Sequence, residues 1–247
     1  MWRRIKVQNL ERALVFDNGT YERVIGPGVT WLWDPWLKLR VLVVDIGNPW
    51  LCVPELDVIA KSDKRPADLL VVDLSDDERA LVRLDARFEA VLEPGLYALW
   101  TSFRDVDVDV DVEVVDVRQT RLVREDLAAI LEAAGSDRLL ERVTVDAGWV
   151  GLYFEDGTLQ ATLAAGTYAF WRLVKRVQVL QVDMREAAFD VSGQEIMTAD
   201  KVTLRLNAVV TYRVNDPVKA VASTEDFRQA LYREAQLALR AVIGTRE

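Results

Sequence analysis

The sequence predicts a β-rich α+β chain, with small antiparallel β-meander repeats in tandem ahead of a mixed domain of strands and a long helix. Three observations carry this prediction. Segment 11–33, "ERALVFDNGTYERVIGPGVTWLW", aligns without gaps with 78–100, "ERALVRLDARFEAVLEPGLYALW", and with 149–171, "WVGLYFEDGTLQATLAAGTYAFW". Gly28, Gly95 and Gly166 fall in step, as do Trp33, Trp100 and Trp171, the signature of an internal repeat. Beyond the third copy the text changes to one long alternating strand, then to apolar residues at helical spacing.

Within one copy, an apolar run such as Ala13-Leu14-Val15-Phe16 meets "DNGT" at 17–20 or "EDGT" at 155–158. Asn-Gly and Asp-Gly favour hairpins because the turn needs positive φ. The second strand ends at "GPG", "EPG" or "AAG", and a third strand carries the aligned tryptophan, which is expected in the core. Each copy then enters a further β-type run: "LRVLVVDI", "VDVDVDVEVVDV" and "VQVLQVDM". A unit of roughly 40 residues is too small to bury a large core alone, so stacking on a neighbour is expected.

The connectors differ. Residues 47–68 hold Pro49, Pro54 and Pro66 and read as loop with one helical turn. Residues 124–141 read as helical, with Leu127, Ile130, Leu131 and Ala134 on one face and an interruption at Gly135-Ser136. The domain boundaries that follow are 1–68 for the first β-unit, 69–142 for the second with its helix, and 143–247 for the last domain. In that domain Val202, Leu204, Leu206, Ala208 and Val210 line one side of a strand that Asp216-Pro217 ends. Ser223 or Thr224 is placed to cap a final helix whose stripe is Phe227, Leu231, Ala235, Ala238 and Val242.

Composition removes many functions. The net charge of −9 argues against nucleic acid as a partner and disfavours anionic lipid on the same grounds, and Arg3, Arg4 and Lys6 of the opening stretch make only a weak basic patch. There is no histidine and Cys52 is the single cysteine, which excludes Ser-His and Cys-His catalysis and the usual zinc ligand sets. No cofactor, catalytic or metal residues are assigned. No uncharged apolar run approaches the ~20 residues that cross a bilayer. The expected setting is the cytoplasm, with peripheral contact at the inner face of the membrane.

The pieces "VSGQEIMTADKVTLRLNAVVTYRV", "NDPVKAV" and "LALRAVIG", in that order, resemble the stomatin/prohibitin/flotillin superfamily (SPFH, or band 7), bacterial slipins above all. The resemblance covers about 143–247, with "GTYAFW" and "VQVLQVDMRE" similar to the family's β-portion. It implies a non-enzymatic scaffold that forms large homo-oligomers and organises partners at membranes, a membrane-bound protease of the NfeD type among them. It also implies a membrane hairpin ahead of the domain, which this sequence does not show, and a long helical continuation beyond Glu247, so that a longer protein is expected.

Two candidate sites remain. In "RDVDVDVDVEVVDVR" at 104–118, Asp105, Asp107, Asp109, Asp111 and Glu113 alternate with valines and on one strand would share a face. Same-face neighbours stand roughly 6.6 Å apart, so one strand gives an ion one or two ligands and a Ca²⁺ site needs others. A solvated face, a cation site and an electrostatic assembly contact with the basic residues Lys38, Arg40, Arg172, Lys175 and Arg176 of the sister copies are the readings. The second candidate is Trp31, Trp36 and Trp50, with Trp2, which do not recur between copies. They read as a buried aromatic cluster between units or as a membrane or partner contact. Cys52 reads as a structural or idle thiol.

Overall fold

The computed structural model describes residues 1–103, 106–172 and 174–245, which gather into two compact units, Met1–Glu141 and Arg142–Glu247. The first unit opens with β1 (Trp2–Val7), β2 (Glu11–Asp17), β3 (Thr20–Ile25), β4 (Gly28–Trp33) and β5 (Leu39–Asp45). The expected meander needs correction. Only β2 and β3 form a hairpin; β5 returns along the other edge of β2, giving the order β3-β2-β5. The tryptophan strand β4 leaves that sheet and pairs antiparallel with β1, a strand that precedes the aligned segment. The turn is made at Gly28, whose φ of +131° is open to glycine and opposed by a Cβ.

A short helix α1 (Leu56–Ala60) follows as the one turn expected in 47–68. Next come β6 (Leu69–Leu74), β7 (Glu78–Leu84), β8 (Arg87–Leu92) and β9 (Gly95–Trp100). A small hairpin of β10 (Ser102–Phe103) and β11 (Val106–Asp107) precedes β12 (Val110–Asp116). These strands take the same arrangement as the first set: β6 pairs with β9, and the larger sheet has the order β8-β7-β12. A bulge falls at Val15/Phe16 in the first hairpin and at the aligned Val82/Arg83 in the second.

The apolar pattern explains the layering. Ala13, Leu14, Val15 and Phe16 are all buried, so β2 is covered on both faces and reads as a continuous rather than alternating run. Ala13 and Val15 meet Ile5, Val7 and Leu32 of the β1–β4 pair. Leu14, Phe16 and Tyr21 meet Leu69, Ala98 and Trp100 of the β6–β9 pair, with Ile59 of α1 closing the side. Val72, Leu74 and Leu99 then face Ala80, Val82 and Leu92 in the next layer. The unit is thus a stack of two-stranded and three-stranded layers, each core shared by two sheets.

After β13 (Arg121–Leu122) come α2 (Leu127–Glu132) and α3 (Ser136–Leu139). The break between them lies at Gly135, as the sequence indicated. Its φ is +82° and an added Cβ would stand 2.6 Å from the Val91 carbonyl oxygen. Backbone bonds from Ala134 to Glu89 (3.0 Å) and from Val91 to Ala134 (2.8 Å) pin the chain onto β8 there.

The chain enters the second unit along β14 (Leu140–Val145), which pairs with β17 (Gly166–Trp171). With them are β15 (Trp149–Glu155), β16 (Thr158–Leu163) and β18 (Val177–Asp183), in the order β16-β15-β18 and with a bulge at Tyr153/Phe154. Then β19 (Ala187–Met197) and β20 (Thr203–Tyr212) form a long hairpin. Leu206, Ala208 and Val210 are partly covered and Val209 is exposed, as the alternation predicts, but Leu204 is exposed and Val202, also exposed, precedes the strand, so the covered row holds only from Leu206 onward.

Helices α4 (Pro217–Ser223) and α5 (Phe227–Gly244) end the unit. The capping expectation is corrected here. Asp216 caps α4 by accepting the Lys219 N–H, with Pro217 at the first turn, so this dipeptide starts a helix as well as ending a strand. Asp226, and not Ser223 or Thr224, caps α5 by accepting the N–H groups of Arg228 and Gln229. Leu152 and Val182 of the three-stranded sheet pack against Val214, Ala220, Val221 and Phe227. Among the described residues no helix is long and apolar enough to cross a membrane.

Candidate interaction surfaces

The acidic stretch is not one strand. Its connection from Trp100 to Val110 is longer than the equivalent links Trp33 to Leu39 and Trp171 to Val177, and the extra residues build the β10–β11 hairpin. Regular pairing with β7 therefore starts only at Val110, opposite Leu84. Asp105 lies outside the described residues, and Asp107 is described only as backbone of β11. Asp109 is exposed between strands, its backbone oxygen accepting the Asp85 N–H at 2.9 Å. Asp111 and Glu113 alone share the outer face of β12.

Those two carboxylates meet cations of their own unit. Arg83, directly opposite Asp111 in the register, reaches it at 3.0 Å and Asp126 at 2.9 Å. Arg124 pairs with Glu113 and, at 2.9 Å, with Asp126. The Arg83 guanidinium also lies 4.4 Å from the Phe88 ring centre. Hydrogen bonds from Arg124, with the Arg124 charge and a hydrogen bond from Arg83, outweigh the opposing effect of burial and hold the Asp126 carboxyl below the usual aspartate range. Two guanidinium groups thus face three carboxylates, and the local charge is largely compensated. Among the described residues no three Cys, Asp or Glu side chains gather as metal ligands. Two of the basic residues of the sister copies are engaged as well: Arg40 pairs with Glu55, and Lys175 with Glu155 at 2.8 Å.

The tryptophans divide differently from expectation. Trp100 and Trp171 are buried, but Trp33, at the aligned position, is 57% exposed. It stands on the outer face of the β1–β4 pair, and nothing packs on that face among the described residues. Trp2 lies opposite Trp33 in the register with ring centroids 5.0 Å apart, and Arg4 lies opposite Trp31 and Lys6 opposite Val29. Trp36 and Leu37 are 77% and 72% exposed at the tip of the loop that follows. The tip is held by Asp34, a buried carboxylate accepting the N–H groups of Lys38 (2.9 Å) and Leu39 (3.1 Å), while Leu37 takes a φ of +54°. Trp2, Trp31 and Trp36 therefore do not form the buried cluster the sequence suggested. Trp50 is partly covered and packs edge-on to Tyr97. Cys52 is a free, exposed thiol.

In the second unit, β19 and β20 pack against α5 through Phe189, whose ring lies 5.9 Å from Tyr212 and 5.7 Å from Tyr232. Arg240 donates to Gln194 at 3.1 Å. Residues 143–247 match the family described as SPFH domain / Band 7. This segment is an SPFH domain. The chain is 39% identical over 97 residues to a protein of Archaeoglobus fulgidus, covering 39% of this chain and 38% of that protein. It is 48% identical over 63 residues to a stomatin homologue of Pyrococcus horikoshii, covering 26% and 24% respectively. It is 38% identical over 92 residues to human stomatin-like protein 3, covering 37% and 32%. The chain thus spans about a quarter to two fifths of the length of these relatives, which are archaeal and animal rather than bacterial.

The SPFH domain also carries a groove of about 630 Å³, lined by Leu152, Phe154, Leu159, Leu180, Val218 and Val221, between its three-stranded sheet and α4. Sequence reading missed it because the sheet and helix residues stand some 60 positions apart. It missed Arg83 as the partner of Asp111 for the same reason, although charge opposite charge on paired strands is the signal that finds it.

Proposed function

We propose that this protein is a non-enzymatic, self-assembling scaffold of the SPFH/slipin type, which organises partner proteins and a membrane surface. In this reading two β-units in tandem, 1–68 and 69–142, are repeats of one fold that precede the SPFH domain in the chain. The observation that carries self-assembly is α5. Its 18 residues include no buried side chain, and Leu237 and Val242 are exposed on it. Met197 and Val209 of the adjoining hairpin are also exposed. An apolar stripe on a long helix and the hairpin beside it suits a second copy of the same domain. A membrane-bound protease of the NfeD type is the partner class implied by the resemblance.

Light scattering on the purified chain tests the assembly reading. Particles larger than 28 kDa are expected, and Leu237→Asp with Val242→Asp should reduce them toward the monomer. A monomer at all concentrations, with a calcium-dependent rise in melting temperature, would instead support a cation-binding module. Asp109 and Asp111 are a secondary candidate contact. Since Arg83 already meets Asp111, charge reversal there should alter assembly less than the changes on α5 do.

A further inference from the structure

We infer that the outer face of the β1–β4 pair, with the Trp36–Leu37 tip, docks onto the surface of an anionic lipid bilayer. The inference deepens the membrane part of the proposed scaffold and lies outside the residues that match the SPFH family.

The face has the chemistry of the membrane–water interface. Trp2, Trp31, Trp33 and Trp36 are each more than half exposed, and Leu37 projects beside Trp36. Indoles partition to the headgroup level, where the ring is dry and its N–H stays hydrated. Between and beside them stand Arg4, Lys6 and Lys38, long side chains that can lay their stems on apolar surface and raise their charges to phosphates, whereas Arg3 points to the opposite side of β1 and donates to the Leu39 carbonyl. Strands β1 and β4 contain no acidic residue, and the nearby Asp34 is buried and committed to two backbone N–H groups. The net charge of −9 does not oppose this contact strongly, because charges beyond about 10 Å are screened at 0.1 M salt.

Comparison with the next layer shows that the chemistry belongs to this face. At the positions paired as Trp2–Trp33, Arg4–Trp31 and Lys6–Val29, the β6–β9 pair has Leu69–Trp100, Val71–Ala98 and Asp73–Leu96. The covered face carries Leu69, Val71, Ala98, Leu96 and the buried Trp100, with Asp73 at its exposed end and no cation. The outer face keeps the aligned Trp33 but has Trp2, Trp31, Arg4 and Lys6 where the covered one has Leu69, Ala98, Val71 and Asp73. A second copy fits it less well, since self-pairing would oppose like charges with no exposed carboxylate between them. A tip that stands proud also suits a soft surface better than a flat sheet.

The test is co-sedimentation of the whole chain with phosphatidylcholine vesicles containing about 30 mol% phosphatidylglycerol. Binding is expected, with a roughly tenfold loss in Trp36→Ser/Leu37→Ser. Arg4→Glu/Lys6→Glu should lose binding at 0.1 M salt and differ less from the parent at about 0.5 M, as screening removes the electrostatic part. Val123→Ser, an exposed apolar change away from this face and from α5, is the control that keeps binding. No sedimentation of the parent, or equal sedimentation of the tip variant, overturns the inference. So does self-association without vesicles that is lost in the tip variant, which assigns the face to a second copy. Particle mass measured on the same samples separates the two readings: vesicle binding can fail while large particles persist, and the reverse.

Discussion

The first and second β-layers place a tryptophan at the same position, after the same glycine corner, with opposite results. Trp100 is fully buried beneath β2, β3 and β5, with the Arg12 guanidinium 4.4 Å from its ring and paired to Asp68. Trp33 is mostly exposed. The backbone register is shared, so the difference lies in what is laid over each two-stranded pair. The two tryptophans share a register with their partner strands and differ in burial because only the β6–β9 pair lies beneath a second sheet on that face.

The largest effect that can break this comparison comes from paired truncations. Trp100→Ala should cost about 3–5 kcal/mol by leaving a cavity between layers, whereas Trp33→Ala should stay within about 0.5 kcal/mol. Urea denaturation of the two variants checks this. Equal costs would mean that the first face is covered in solution.

Tyr21 sharpens the picture of the covering layer. Its hydroxyl is buried without a hydrogen-bond partner among the described residues, and burial, then the Asp68 charge, push it up to about 12. Because this value lies above the ~10 of an unfolded tyrosine, the neutral phenol contributes stability below pH ~10. That contribution is lost as pH rises toward 12. Tyr21→Phe should gain up to about 1 kcal/mol at neutral pH and flatten this alkaline loss, read from thermal melts across pH.

The acidic strand gives the smallest effect. Asp126 is held below its ordinary value, so its ion pairs contribute stability above the unfolded pKa near 4, and this is lost as pH falls through the lower folded value. Asp126→Asn should cost no more than about 1 kcal/mol at neutral pH, since the site is half open to solvent, and should remove that acid sensitivity.

Much of the fold is legible in residue spacing. The glycine corners, the Asn-Gly and Asp-Gly turns, the interruption at Gly135 and the strand–helix order after Asp183 follow from backbone geometry that the residues themselves impose. The strand Trp2–Val7 was less visible because its partner β4 lies beyond a hairpin, with no local pattern linking them. The break in the acidic strand comes from a longer connection, which alternation of Asp and Val conceals. The candidate surface was half legible. Trp31 and Trp36 stood out as unrepeated residues, but adding Trp33 requires knowing which layer lies over which.

The most direct measurement is tryptophan-selective oxidative footprinting read by peptide mass spectrometry, with and without anionic vesicles. The account predicts fast modification of Trp2, Trp31, Trp33 and Trp36, slow modification of Trp100, and protection of the first four alone when vesicles are added. Equal rates at Trp33 and Trp100, or rates at the first face that vesicles leave unchanged, would contradict it.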